Sequence, residues 1–222
     1  NSCEFILSSS LHGIILSNTY NIPVVRLKNN KFEIHEKALL LALEAVMRKD
    51  KERVFDLLKN KTFNSVFLEG ARLYLLGFTN NYFGMYKFAI EDLELSVEKL
   101  KDTPYEPFLI HSYLSLLVCH SNRKDKGEVK KYIHLINEHE PDSPYQALSI
   151  AHALAVGHLA INDFEKCEKI IKAIYKDQNE YLHIYEAGLC LTEFMLYLKQ
   201  GDPDACVEAL NRYKKLPGFV VK

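Results

Sequence analysis

A recurring helix register constrains this chain more than any other feature. Five small or short apolar residues occur at nearly even intervals, and an apolar residue follows each of them four positions later. The five residues are Val54, Ala89, Val129, Cys167 and Cys206. Residues four apart share one face of a helix, so each position predicts a helix with one apolar face. A nearly constant step predicts repeated units that bury these faces against one another.

The clearest unit covers residues 73–100. It contains apolar residues at spacings of three and four, interrupted by the polar segment 79–81 with Gly84 close behind. This pattern predicts two helices joined by a turn. Gly77 and Ala89 lie twelve residues apart, one in each predicted helix. Two small residues in this arrangement predict a close approach of antiparallel helices.

Four further segments have the same design. Each reads as an apolar-striped helix, a polar turn and a second helix, and they cover residues 35–58, 108–136, 147–175 and 185–213. We therefore predict a mainly α fold over residues 33–222. The predicted architecture is an α-solenoid of about five antiparallel helix pairs, in which each pair packs mainly on its neighbours.

Residues 1–32 have a different pattern. Two short apolar segments, 4–8 and 24–27, flank a helical segment that begins after three serines and is broken at Pro23. Serine is a favoured N-cap residue, and proline disfavours the helical conformation of the residue before it. This segment is predicted to be β-α-β, with the polar stretch 28–31 as the domain boundary.

Composition excludes several classes of protein. The 28 basic and 29 acidic residues leave a net charge of -1, which argues against a nucleic-acid partner for this chain. No apolar run reaches the length of about 18 residues that a membrane span requires. The five cysteines include no CxxC pair, which favours reduced thiols in a cytoplasmic protein.

The helical pairs resemble the tetratricopeptide-repeat family. Leu76-Gly77, Ala89 and Leu93 match the family pattern well, and the fourth and fifth pairs match it in part. The resemblance covers about residues 35–215. The family step is about 34 residues, so most of the steps here are longer. The resemblance implies a helical scaffold or sensor domain that binds protein or peptide segments.

In that family, partners dock on the concave face lined by the first helix of each pair. Transferring those positions names six candidate partner-binding residues: Tyr74, Phe78, Asn81, His111, Asn122 and His152. Aromatic stacking and amide hydrogen bonds from such residues can hold an extended peptide. The end repeats of a solenoid leave apolar faces uncovered, so a homo-oligomer through these repeats is a further expectation.

Residues 4–27 resemble a C-terminal fragment of the polysaccharide pyruvyl transferase family. The resemblance rests on a strand that leads into Ser10-Leu11-His12-Gly13, followed by Asn21-Ile22-Pro23 and a second strand. It implies that Ser10, Leu11 and His12 help to bind phosphoenolpyruvate at a helix N-terminus, where free N–H groups suit a phosphate. Most of the two α/β domains of such an enzyme are missing, so this chain alone is not expected to be an enzyme.

The remaining candidate chemistry is weak. No two of the nine histidines have the spacing of three or four residues that places two metal ligands on one helix face. The sequence contains no readable Ser/His/Asp set and no glycine-rich phosphate loop. We expect no metal and no cofactor.

Three hypotheses of function follow. The first is a scaffold or sensor that docks a partner segment on its concave face. The second is the C-terminal portion of a pyruvyl transferase-like enzyme with an appended repeat domain. The third is a peptide-sensing regulator whose DNA-binding domain lies elsewhere. The gene sequence before Asn1 discriminates among them, since an α/β domain there favours the second and a helix-turn-helix the third.

The concave-face hypothesis predicts the behaviour of one double variant. Substituting Tyr74 and Asn81 together should weaken capture of the partner segment without unfolding the chain. Calorimetric titration measures the affinity, and an unchanged affinity would count against the concave face as the docking surface.

Overall fold

Helices dominate the part of the chain that the structure describes. The computed structural model describes residues 6–8, 24–26, 34–63, 65–103, 106–177 and 179–216. Within these ranges the chain forms ten α-helices: α1 (Ile34–Met47), α2 (Lys51–Leu58), α3 (Val66–Tyr82), α4 (Tyr86–Leu100), α5 (Glu106–Asn122), α6 (Lys126–Asn137), α7 (Pro144–Ala160), α8 (Phe164–Asp177), α9 (Leu182–Gln200) and α10 (Pro203–Lys214). The predicted mainly α class is confirmed.

Two short strands precede the helices. Strands β1 (Ile6–Ser8) and β2 (Val24–Arg26) pair in parallel, with Ile6 opposite Val24. The helix predicted between them, and the boundary predicted at 28–31, lie outside the described residues. The β-α-β segment therefore stays a prediction.

The chain divides into two compact units. The N-terminal unit covers residues 1–112 and the C-terminal unit covers residues 113–222, so the division falls within α5. The stacking of all five pairs into a solenoid stays a prediction.

One turn geometry joins the two helices of every pair. At each turn one residue has a positive φ between 60° and 77°; these residues are Lys49, Gly84, Lys124, Asn162 and Gly201. The amide of the next residue donates to the carbonyl five positions back, over 2.8 to 3.0 Å. This is the Schellman arrangement, which satisfies carbonyl groups at a helix C-terminus. Each of these five turn residues lies five positions before a residue of the predicted register, so the turns and the register recur with the same steps.

An aspartate starts the second helix at four of the five turns. Its side chain accepts a hydrogen bond from the backbone amide three residues later; the four are Asp50, Asp125, Asp163 and Asp202. At the second turn the same position holds Met85, for which no side-chain cap bond forms. Such N-caps stabilise a helix by about 0.5–2 kcal/mol each. The turn therefore ends one helix and begins the next within two or three residues.

Burial follows the predicted register. All five register residues, Val54, Ala89, Val129, Cys167 and Cys206, are buried. Their burial confirms that one face of each second helix is set by these positions. It also explains why small or short residues occupy them, since the partner helix lies close by.

Helices α3 and α4 pack closely against each other in the N-terminal unit. A Cβ atom on Gly70 would lie 2.6 Å from Leu100, and one on Gly77 would lie 2.6 Å from Leu93 and 3.1 Å from the carbonyl oxygen of Ala89. Gly70 faces Leu100 and Gly77 faces Leu93, so residue numbers rise along α3 as they fall along α4, and the pair is antiparallel. The predicted close approach of Gly77 and Ala89 is thus confirmed.

The predicted interruption at 79–81 is wrong. Helix α3 continues through this segment to Tyr82, and the turn lies at Phe83, Gly84 and Met85. The Thr79 hydroxyl donates to the carbonyl of Leu75 over 2.7 Å, and the Asn80 amide donates to Asp92 over 2.9 Å. The Thr79 bond stays within α3, and the Asn80 bond reaches across to α4, so both side chains find a donor–acceptor partner without ending the helix.

Aromatic contacts and one buried carboxylate connect neighbouring helices of the C-terminal unit. The rings of His120 and Tyr132 stack at 5.6 Å between α5 and α6. Farther along, Glu193 of α9 accepts hydrogen bonds from Tyr175 of α8 over 3.1 Å and from Arg212 of α10 over 2.6 Å. One carboxylate thus ties three helices together, and its burial is matched by two donors.

We predict opposite effects for two glycine substitutions. Gly77→Ala should lower the free energy of unfolding by about 1–2 kcal/mol, because its methyl group meets a backbone oxygen that cannot move aside easily, and this overpacking outweighs the gain in helix propensity. Gly127→Ala, at an exposed helix position with only Asp125 Oδ1 at 3.6 Å, should raise it by about 0.4–1 kcal/mol.

Urea denaturation of both variants measures the difference. A Gly77→Ala variant as stable as the Gly127→Ala variant would contradict the close approach of α3 and α4.

Candidate partner-binding cleft

The first two inter-helix turns border a cleft in the N-terminal unit. The cleft has a volume of about 250 Å³. It is lined by Val46, Met47, Lys49, Asp50, Lys51, Val54, Phe78, Thr79, Tyr82 and Phe83. These residues come from the end of α1, the start of α2 and the end of α3. We call this set the cleft.

The cleft has a closed floor and an open rim. Val54 and Thr79 are buried at the floor. Met47, Tyr82 and Phe83 are between 41% and 60% exposed. Solvent-exposed large apolar side chains around a concave site mark a place where another molecule can bury apolar area.

Two lysines hold their ammonium groups over the aromatic rings of the cleft. Lys49 Nζ lies 5.7 Å from the ring centre of Tyr82, and Lys51 Nζ lies 5.4 Å from that of Phe83. Among the described residues, neither lysine forms an ion pair with a carboxylate. The adjacent Asp50 instead accepts the amide of Arg53 over 3.0 Å as the cap of α2. The cleft therefore presents positive charge beside apolar surface.

Met85, the exception at the second turn, explains why Lys51 has no carboxylate partner there. Lys51 Nζ lies 3.2 Å from the sulfur of Met85. Met85 occupies the position at which the other four turns have aspartate, so Lys51 contacts a thioether where a carboxylate would otherwise stand. A thioether is only a weak acceptor. The ammonium group remains available to an anionic group from outside.

This arrangement suits an apolar side chain with a carboxylate beside it. The volume is below the range of about 300–1,000 Å³ that is usual for small-molecule sites. It is large enough for one or two side chains of a peptide. A carboxylate near the rim would gain charge-assisted hydrogen bonds from the ammonium groups, which are stronger than neutral ones.

Three of the predicted partner-binding residues lie together in the N-terminal unit. The ring centre of Tyr74 is 5.9 Å from that of Phe78 and 6.3 Å from that of His111, and all three are half-buried. Phe78 also lines the cleft, so it connects this ring cluster to it. Asn81 is half-buried at the end of α3, where its carbonyl accepts the amide of Gly84.

The other two predicted residues lie in the C-terminal unit. Asn122 is exposed, and its amide donates to the carbonyl of Val118 over 2.9 Å. His152 packs between α7 and α9, with its ring centre 5.3 Å from that of Tyr185. The His152 Nε2 atom is buried against Gly188. The structure gives His152 a packing role, and its binding role stays a prediction, as does that of Asn122.

The predicted transferase residues Ser10, Leu11 and His12 lie outside the described residues. Among those that are described, no group of three His, Cys, Asp or Glu side chains could hold a metal ion. In the same part of the chain no helix is both long and apolar enough to cross a membrane.

Sequence reasoning missed most of the cleft. Met47, Lys49, Lys51, Tyr82 and Phe83 were not among the predicted site residues. A signal for them exists in the sequence, since large apolar residues directly flank a turn on both the first and the second pair. The sequence does not show that these two turns, which lie a full repeat apart along the chain, are next to each other in the fold.

Comparison with known proteins adds no relative. No protein-family model, no curated protein and no solved structure matches this chain.

Two histidines of α7, His152 and His158, predict acid sensitivity. Burial lowers the pKa of both His152 and His158 below the ordinary value. A histidine whose pKa is lower in the folded state than in the unfolded state stabilises the fold fully only above its unfolded pKa of about 6.5. The free energy of unfolding should therefore fall as the pH drops from about 7 to about 5.

Urea denaturation across this pH range measures the effect. The fall should be smaller in a His152→Gln and His158→Gln double variant. A His134→Gln variant, altered at a side chain that is 77% exposed, should keep the full fall. Equal pH dependence in the double variant and the wild type would contradict the assignment.

Proposed function

We propose that this chain is a helical-repeat protein that binds a segment of a partner protein. The cleft takes an apolar side chain of that segment and pairs a neighbouring carboxylate with Lys49 and Lys51. The observation that carries the proposal is the pair of ammonium groups over aromatic rings, without a carboxylate partner among the described residues. The recognised segment is an extended peptide with a large apolar residue beside Asp or Glu.

The repeated turn supports a tetratricopeptide-like architecture. Five turns with one hydrogen-bond pattern join successive helices, at steps that equal the spacing of the buried register residues. In the proposed solenoid the first helices of the pairs line one continuous surface. Tyr74, Phe78 and His111 extend the binding surface away from the cleft along that face.

The state of the cysteines supports a cytoplasmic location. Cys119, Cys167, Cys190 and Cys206 are free and buried. Burial raises the pKa of Cys119 and of Cys167 to about 12, so these thiols stay protonated and unreactive. Buried free thiols are typical of a reducing compartment. We assign them a packing role and propose a cytoplasmic protein.

A random peptide library displayed on phage tests the proposal directly. Selection on the 222-residue chain should enrich peptides that carry Leu, Ile or Phe next to Asp or Glu. Affinities of synthetic copies are then measured by calorimetry. Raising the ionic strength from about 0.01 M to about 1 M should weaken binding, because the Debye length shrinks from about 30 Å to about 3 Å.

Two binding variants and one matched control locate the site. Lys49→Gln with Lys51→Gln should weaken the selected peptides about tenfold, and Phe83→Ala should do the same by removing the aromatic wall. Lys126 follows the capping Asp125 as Lys51 follows Asp50, but at the third turn. Lys126→Gln should therefore leave the affinity unchanged.

Met85→Asp separates binding from folding. It restores the aspartate that the other four turns carry, so it should stabilise α4 by about 0.5–2 kcal/mol. It also places a carboxylate beside Lys51 and should weaken peptide binding. Peptides that bind the Lys49→Gln, Lys51→Gln double variant as tightly as the wild type, or a library without acidic-apolar enrichment, would refute the proposed function.

A further inference from the structure

Helix α9 exposes an apolar stripe that faces away from its own unit. The stripe consists of Ile184, Ala187, Leu191, Met195 and Leu198, all of them exposed. The four large side chains are between 43% and 56% exposed. Spacings of three, four, four and three residues place all five on one side of the helix. The opposite side carries the buried residues Leu189, Glu193 and Leu196.

In the preceding pair, the equivalent face of α7 is covered by another helix. In α7, Tyr145 and His152 pack against Tyr185 of α9, with ring centres 6.1 and 5.3 Å apart. The turns that follow α7 and α9 have their positive-φ residues at Asn162 and Gly201. When the two helices are aligned on these turns, Ile184 takes the position of Tyr145 and Leu191 that of His152. The stripe is therefore the counterpart of a surface that a further helix covers in α7.

The spacing of the stripe is symmetric about Leu191. Ile184 and Leu198 lie seven residues before and after it, and Ala187 and Met195 lie four residues before and after it. When two copies of α9 pack antiparallel across a twofold axis at Leu191, every apolar residue of one copy meets an apolar residue of the other. A twofold interface requires this self-complementarity, whereas an unrelated partner does not.

We infer that a second copy of this chain covers the stripe, and that the chain forms an antiparallel dimer through α9. Leu191 packs against Leu191 of the other copy at the axis, with Ile184 against Leu198 on both sides. No charged residue lies within the stripe. The inference does not depend on the cleft, which belongs to the other unit of the chain.

The size of the interface sets the strength of the dimer. Helix α9 has 19 residues, so it is about 28 Å long, and a helix with its side chains is about 10 Å wide. Each copy therefore contributes on the order of 300 Å², or about 600 Å² in total by this geometry. Stable interfaces usually bury about 1,200–2,000 Å². The dimer is consequently weak and depends on protein concentration.

Analytical ultracentrifugation over a thousandfold range of concentration tests the dimer. The wild-type 222-residue chain should shift from one chain to two as its concentration rises. Leu191→Glu brings two carboxylates together at the axis and should keep the chain monomeric at the highest concentration. Val207→Glu, at an exposed apolar position on α10, should dimerise as the wild type does. Circular dichroism confirms that the variants remain folded.

A charge pair tests the antiparallel register. Ile184→Lys alone and Leu198→Glu alone should each weaken the dimer. Combined in one chain, the two changes should restore it, because each new ammonium group faces a new carboxylate of the other copy. In a parallel dimer like charges would meet, and the combination would be the weakest of all.

Two results would overturn the inference. The first is a wild-type chain that stays monomeric at every concentration; if this monomer begins to dimerise when residues 217–222 are deleted, the C-terminal residues are the cover of the stripe. The second is a Leu191→Glu variant that dimerises as the wild type does.

Discussion

One backbone hydrogen bond, repeated five times, organises the described part of this chain. It runs from the residue after a positive-φ position to the carbonyl five residues back, and it closes the C-terminus of the first helix of each pair. At four turns the donor residue is also the aspartate that caps the next helix, so chain reversal takes only two or three residues. Short reversals hold the two helices of a pair antiparallel and bring their small residues into contact.

The candidate binding site depends on a departure from this repeated turn. Met85 replaces the aspartate at the second turn, and the neighbouring Lys51 therefore lies against a sulfur. With Lys49 held over Tyr82, the result is a cleft that is apolar inside and positive at its rim. The missing cap weakens the start of α4 relative to the other second helices. We interpret this loss of local stability as the cost of leaving Lys51 available to a ligand.

The sequence predicted those features that depend on residue type at fixed spacing. Burial of Val54 and its four counterparts, and the approach of Gly77 to Ala89, follow from periodicity and size alone. The sequence does not reveal that Lys49 and Lys124 are the positive-φ residues of their turns, because lysine has no preference for positive φ. The polar segment 79–81 was misleading because polar residues also occur inside a helix. Thr79 donates to Leu75 of its own helix, and Asn80 donates to Asp92, a partner that only the packed pair supplies. The cleft needed the proximity of two turns, which no local pattern contains.

Nuclear magnetic resonance during a peptide titration tests the central claim most directly, because it reports where a ligand binds. With an acidic-apolar peptide selected on the chain, the account predicts that the largest shift changes occur at Val46, Met47, Val54, Tyr82 and Phe83, which line the cleft. Binding that shifts only residues of the C-terminal unit and leaves these five unchanged would contradict it.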